Sequence, residues 1–159
     1  MNVIGLIANL FLVTALDGGA GVPAPESAPA AAPAPAPKSE ILGIWKGSSI
    51  CAKVEGNEFC HDESVVYTFV DVPGQPATVA LKAERVVDLS LQPMYSLYFT
   101  YRPEQGNWTC EFTRPRFNGV WAYVVHGDEL TGTATLVPSG TVVRNVTAKR
   151  VPKEPVAAP

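Results

Sequence analysis

The sequence is poor in the residues that carry most enzyme chemistry. It contains two histidines, His61 and His126, and three cysteines among 159 residues. It shows no Ser-His-Asp order, no glycine-rich phosphate loop and no recognisable pair of carboxylates, so we expect neither a cofactor nor an enzyme. Its twelve lysines and arginines are scattered and its net charge is −3, so there is no basic stripe that would bind a nucleic acid.

A membrane-spanning run is also missing. The apolar run from Val3 to Leu16 is shorter than the roughly 20 residues of a transmembrane helix, and its length is typical of the core of a signal peptide. Small residues follow, and cleavage after Ala20 would suit them, although no Lys or Arg precedes the run. We predict a signal peptide over residues 1–20, export to the periplasm or the extracellular space, and no membrane span in the mature protein. The alternative is an apolar N-terminal helix of the mature domain.

Large apolar residues are nearly absent from residues 21–39, where Pro and Ala dominate. Such a segment buries too little surface to offset its ordering entropy, which predicts a disordered, extended, polyproline-like linker. One folded domain remains over residues 40–152, which suffices for a single core. Residues 153–159 are predicted to form a disordered tail, and we expect the protein to be a monomer.

Helical periodicity is missing after the linker, and the domain is predicted to consist of strands. Apolar residues alternate with polar ones in several segments, as Trp108, Cys110 and Phe112 do, which is typical of a sheet with one buried face. Eight strands are predicted, over residues 42–52, 64–72, 77–87, 94–102, 107–113, 119–127, 129–137 and 141–151. Short turns join most of them, which favours an all-β, eight-stranded antiparallel up-and-down barrel. The longer "DLSLQP" link between the third and fourth strands would serve the alternative, a sandwich of two four-stranded sheets.

Two motifs at the ends of the domain resemble those of a known family. The first strand opens with Gly43-Ile44-Trp45 and the last strand ends with Lys149-Arg150, which is similar to the pattern of lipocalins and other calycins. The resemblance implies that Trp45 and Arg150 are structural residues that meet at the barrel floor in a cation–π contact. The chain is most similar to small exported lipocalin-like proteins of bacteria, which implies a binding module for a small apolar or amphipathic ligand. The first strand also resembles that of nitrobindin-type haem barrels, but the His that these use near the C-terminus is missing.

Cys51 and Cys60 enclose a short loop, and a His, an Asp and a Glu follow at once at residues 61–63. In an oxidising compartment such a pair is predicted to form a disulfide. A metal site or a c-type haem anchor is the alternative, but zinc needs four ligands and the first Cys is too distant for the haem motif. We therefore expect no metal. Asp62 and Glu63, at the end of the segment, are expected to be solvated carboxylates. Cys110 is expected to be free, either as a small buried hydrophobe or as a reactive thiol.

Arg144 is the charge that the strand pattern places inside the barrel, because it shares the parity of Val142 and Val146. A buried arginine is costly unless it is paired. Two hypotheses follow for its partner. One is an internal carboxylate, Asp62 or Glu63, and the other is an acidic ligand at the barrel mouth.

Tyr95, Phe99 and Trp121 are the aromatic candidates for a ligand-binding wall beside Arg144, although aromatic residues are more often plain core. The leading hypothesis is an exported binding module for a partly apolar, acidic ligand. One alternative is a structural or interaction domain of the cell envelope with a filled barrel, and another is an isomerase or cyclase without a recognisable motif. A lined cavity favours the first hypothesis, a solid interior the second, and converging titratable groups the third.

Overall fold

The computed structural model describes residues 38–114 and 117–152. It has one short helix and eight strands: α1 (Lys38–Ile41), β1 (Gly43–Cys51), β2 (Glu63–Asp71), β3 (Thr78–Val87), β4 (Ser90–Arg102), β5 (Asn107–Arg114), β6 (Phe117–His126), β7 (Glu129–Val137) and β8 (Val142–Arg150). The predicted signal peptide, the predicted tail and residues 21–37 of the predicted linker lie outside the described residues. Within the described part of the chain, no helix is long and apolar enough to cross a membrane.

The eight strands form the predicted closed barrel. Each strand pairs antiparallel with the next one, and β8 returns to pair with β1. The two-residue period of the sequence places the core, since Val79, Leu81 and Ala83 of β3 are all buried. The all-β, up-and-down architecture expected from the sequence is therefore confirmed.

The link between β3 and β4 differs from the prediction. β3 runs to Val87 and β4 begins at Ser90, so only Asp88 and Leu89 join the two strands. Their φ angles are 48° and 65°, as a type I′ hairpin turn requires of both central residues. The segment that could have crossed between two sheets is therefore part of a hairpin.

A register shift interrupts the β3–β4 ladder above this turn. Ala83 pairs with Tyr95 and Glu84 pairs with Pro93, so Met94 is an extra residue in β4. Pro93 has no N–H to donate, and a bulge is one of the few places where a strand tolerates proline. Glu84 beside the shift is nearly buried, and it pairs at 2.8 Å with the exposed Lys82, which shares its face of β3.

One end of the barrel, here called the closed end, is covered by α1. Ile41 and Trp45 are completely buried there, and the Trp45 indole N–H donates to the Ile41 carbonyl at 2.8 Å. Trp45 pairs with Arg150 across the β1–β8 seam, in the predicted register. A helix was not expected after the linker, but α1 is only one turn long and such a turn has no periodicity to detect.

Large aromatic side chains fill the barrel from the closed end to its middle. The largest fully buried side chains there are Trp45, Trp108, Tyr67, Tyr123, Phe69 and Phe99. Phe69 contacts both Phe99 and Tyr123 edge-on, with ring centres 6.0 Å and 5.9 Å apart. Such contacts stabilise a core beyond the area that they bury. The opposite end, where β1 ends and β2 begins, is here called the open end.

The wall of the barrel is incomplete between β4 and β5. These strands pair only near the closed end, at Thr100–Thr109, Tyr101–Trp108 and Arg102–Asn107. The segment of β4 from Ser90 to Phe99 pairs with β3 but has no pairing with β5. Toward the open end, the β3–β4 hairpin is therefore paired with β2 on one side but not with β5 on the other.

Candidate functional site

A pocket of about 390 Å³ lies at the open end. Four of its residues come from the β3–β4 hairpin, and β2, β6 and β8 contribute one each. The lining residues are Glu63, Arg85, Pro93, Met94, Tyr95, Trp121 and Arg144. Two further depressions, of 340 Å³ and 430 Å³, lie on the outer face of β1, β7 and β8 and beside the loop between β1 and β2. The pocket at the open end is thus the one that combines inward-facing aromatic residues with charge.

Arg144 has an internal partner in this pocket. Its Nη1 donates to Glu63 Oε2 at 2.8 Å and to Ser49 Oγ at 2.6 Å, and its Nη2 donates to the His61 carbonyl at 2.6 Å. Of the two sequence hypotheses, the internal carboxylate is the one observed. An acidic ligand was expected to bind an Arg144 without a protein carboxylate in reach, and that condition is not met.

Glu63 lies between two guanidinium groups. Its second oxygen, Oε1, is 3.7 Å from Arg85 Nη1. The side chains of Glu63 and Arg144 are each 18% exposed, whereas that of Arg85 is 48% exposed and also donates to Gln92 Oε1. The expectation of a solvated Glu63 was therefore wrong, because the residue starts β2 in phase with the buried Val65.

Tyr95 and Trp121 form the aromatic wall of the pocket. Their rings are stacked with centres 6.2 Å apart, and Trp121 stacks in turn on Tyr123 at 5.9 Å. Phe99, the third aromatic candidate, is completely buried against Phe69 and does not line the pocket. The stacked rings therefore continue from the pocket into the core, where Tyr123 is completely buried.

Two buried hydroxyls next to this wall, those of Tyr67 and Tyr123, make no hydrogen bond of regular geometry among the described residues. They interact with each other and with the Tyr95 hydroxyl, and that of Tyr67 also interacts with Ser49. Their rings meet edge-on with centres 5.8 Å apart. Burial raises the pKa of both groups and that of Tyr95 above the ordinary value, since the anionic phenolate is poorly solvated there. All three tyrosines therefore stay protonated at neutral pH and can donate hydrogen bonds.

Part of this site was indicated by the sequence pattern. Ser49 and Tyr67 were not singled out, although each shares the parity of buried neighbours on its strand. Arg85 was not singled out either, although it shares the parity of the buried residues of β3, Val79, Leu81 and Ala83. The sequence pattern left the facing of Tyr95 and Trp121 undetermined, and their depth in the barrel depends on the register.

The cysteines behave as predicted. Cys51 and Cys60 form a disulfide, and Cys110 is free and buried, where burial raises its pKa. Asp62 is exposed, as expected, and its Oδ1 accepts a hydrogen bond from the Cys51 amide. Both histidines are exposed, His61 beside the disulfide loop and His126 at the end of β6. Among the described residues, no group of three or more His, Cys, Asp or Glu side chains could hold a metal ion.

Comparison with known proteins gives one structural likeness. No family model matches the chain, and no curated protein matches it. Among solved structures, the chain is similar to the crystal structure of Echinococcus granulosus fatty-acid-binding protein 1, with a TM-score of 0.46 and 14% sequence identity. The similarity covers 72% of this chain and 99% of the other.

Proposed function

We propose that the barrel is a binding module for a small, partly apolar ligand that enters the pocket at the open end. The observation that carries this proposal is the pair of buried hydroxyls of Tyr67 and Tyr123 near the pocket wall, which make no hydrogen bond of regular geometry among the described residues. A buried donor without a partner costs about 1–3 kcal/mol. A ligand oxygen that passed the lining residues of the pocket and reached these hydroxyls would lower that cost, and Tyr95 and Trp121 would cover its apolar part.

The filled interior limits the size of this ligand. Tyr123, Phe99 and Phe69 occupy the space below the pocket and are almost completely buried. A long acyl chain would have to displace several of these rings. The pocket volume of about 390 Å³ suits a compact ligand, such as one with a flat ring system that can lie on Trp121.

The proposal includes export and a monomeric state. The disulfide between Cys51 and Cys60 supports export, because such bonds persist in oxidising compartments. The apolar run of residues 3–16 supports it as the core of a signal peptide. Detection of the oxidised protein in a periplasmic or extracellular fraction, with an N-terminus after Ala20, tests this part of the proposal.

A structural or interaction domain is the second candidate function, and the packing of the closed end favours it. Trp45, Trp108 and Tyr67 fill that part of the barrel, and Arg144 is neutralised internally as a structural arginine would be. The enzyme hypothesis has converging titratable groups in its favour, Glu63 and the tyrosines. The raised pKa of the tyrosines makes them hydrogen-bond donors rather than bases at neutral pH.

Binding of prodan, a neutral naphthalene ketone dye, separates the two candidates. Tyr67→Phe and Tyr123→Phe remove one hydroxyl each and keep the rings, so stability should rise slightly under both hypotheses. Only a binding module should bind the dye, and it should lose about 3- to 10-fold in affinity with each change. Tyr98→Phe, on the exposed outer face of β4, is the matched control. Absence of binding to the wild type would leave the structural function standing.

A further inference from the structure

The ion pair between Arg144 and Glu63 determines which ligand oxygen the pocket can accept. The Nη1 and Nη2 atoms of Arg144 donate to Ser49, Glu63 and the His61 carbonyl, all within the protein. Glu63 thus lies where the carboxylate of an acidic ligand would lie. The guanidinium charge at the buried end of the pocket is already compensated.

Hydrogen-bond donors remain at this end after the ion pair is formed. The hydroxyls of Tyr67 and Tyr123 make no hydrogen bond of regular geometry among the described residues, although they interact with each other and with that of Tyr95. Ser49 Oγ accepts from Arg144 at 2.6 Å, and the Ser49 hydroxyl also interacts with that of Tyr67. The buried end therefore offers several donors without net charge.

We infer that Glu63 makes the pocket select ligands whose buried end is an uncharged oxygen acceptor, such as a ketone or amide carbonyl, over carboxylates. This inference rests on the proposed binding function. A carbonyl oxygen accepts from two donors, which matches the two tyrosine hydroxyls. A carboxylate in the same place would lie close to Glu63, and like charges brought together in a partly buried site repel strongly.

Arg85 does not reverse this preference. Its side chain is 48% exposed, and its guanidinium already contacts Glu63 and Gln92. Water and salt screen such a charge, so it attracts a ligand anion only weakly. Glu63 is accordingly the specificity-determining residue, through its charge rather than its contact area.

The test compares two naphthalene derivatives of the same shape, the methyl ketone acetylnaphthalene and the carboxylate naphthoate, as competitors of prodan at neutral pH. The wild type should bind the ketone at least about tenfold more tightly than the carboxylate. Glu63→Gln removes the competing charge and leaves Arg144 without a counter-ion. In this variant naphthoate should gain at least about tenfold in affinity while the ketone changes little.

Asp88→Asn is the matched control. It also removes one negative charge at the open end, and Asn tolerates the φ of 48° at this position. Its affinity for naphthoate should change by less than about twofold.

If Glu63→Gln is too unstable to titrate, thermal unfolding provides the same test. Naphthoate should raise the melting temperature of this variant more than that of the wild type, because a ligand stabilises the state that binds it. Acetylnaphthalene should not discriminate between the two proteins. Binding of both compounds with a ratio that Glu63→Gln leaves unchanged overturns the selectivity and keeps the binding function. Failure of the wild type and the variant to bind either compound overturns both.

Discussion

The guanidinium carbon of Arg150 lies 4.1 Å from the centre of the Trp45 ring. Arg150 also donates to the Leu42 carbonyl at 2.8 Å, to the Glu40 carbonyl and to Asp128 Oδ1 at 3.1 Å. The arginine thereby connects the segment around α1 to the end of β8. Arg150, the indole of Trp45 and the oxygens that accept from Arg150 therefore form one structural unit, which closes this end of the barrel.

Trp45→Ala should therefore destabilise the domain by about 3–5 kcal/mol, since it removes a completely buried ring. Arg150→Met should cost less, and the double variant should lose less than the sum of the two. Chemical denaturation of the three proteins measures this coupling. Lys149→Met, on the exposed face of β8, should change stability by no more than about 0.5 kcal/mol. Strict additivity would show that the two side chains act independently.

Arg144→Met should destabilise the domain by about 3 kcal/mol, because it leaves the carboxylate of Glu63 buried without its closest partner. The double variant Arg144→Met/Glu63→Gln should recover most of that loss, since no buried charge is left. Arg85→Met is the control, and as an exposed partner of the same carboxylate it should cost about 0–1 kcal/mol. Thermal melts of the four proteins decide; equal losses for the Arg144 and Arg85 variants would contradict the structural role of the pair.

Removal of the disulfide by Cys51→Ser/Cys60→Ser should lower stability by about 2–4 kcal/mol, mainly by releasing a constraint on the unfolded chain. Cys110→Ala keeps the bridge and serves as the control for loss of a thiol. Peptide mapping without reductant should show one bridged peptide in the wild type and in this control. A bridge that includes Cys110 would refute the assignment.

Alkaline pH should destabilise the barrel through its buried tyrosines. The raised pKa values of Tyr67 and Tyr123 mean that folding favours their protonated forms. This contribution is complete below the unfolded pKa of about 10 and is lost as the pH rises through the folded values. Each such tyrosine should lower the free energy of unfolding by about 1.4 kcal/mol per pH unit in that window.

Phenolate absorbance against pH, recorded beside circular dichroism, measures this effect. The titration of the buried tyrosines should coincide with unfolding. Tyr67→Phe/Tyr123→Phe should flatten the decline in stability above about pH 10. A wild type whose tyrosines all titrate while the fold stays intact would contradict their burial.

Alternation in the sequence predicted the strands, and the resemblance to calycins predicted that Trp45 and Arg150 meet, as they do across the seam between β1 and β8. Parity indicates which face of a strand a residue lies on, but it does not give the depth along the barrel axis. Tyr95 and Phe99 share one face, yet Tyr95 lines the pocket and Phe99 lies in the core. Depth depends on the register of each hairpin, which turns and bulges determine.

The β3–β4 hairpin shows why part of the site escaped prediction. The turn residues Asp88 and Leu89 lack the glycine that usually marks a two-residue hairpin, so the segment was interpreted as a longer link. The extra residue Met94 then shifts the phase of β4 by one position relative to β3. Since Pro93 lies beyond this shift, simple alternation along β4 could not place it at the pocket. Arg85, on β3, keeps the inward parity of the buried Leu81 and Ala83 and was simply not singled out.

The same turn supports a last prediction. Leu89 has a φ of 65° and is fully exposed, so its side chain gains no burial from a backbone conformation that β-carbon sterics disfavour. Leu89→Gly should relieve this strain and stabilise the domain by about 0.5–1 kcal/mol. The gain is smaller than the strain itself, because glycine has more conformational freedom in the unfolded chain. Leu91→Gly is the matched control two residues away. It lies within β4, where glycine should cost about 0.5–1 kcal/mol. Chemical denaturation should give the two changes opposite signs, and losses of equal size would mean that the left-handed turn at Leu89 is not populated in solution.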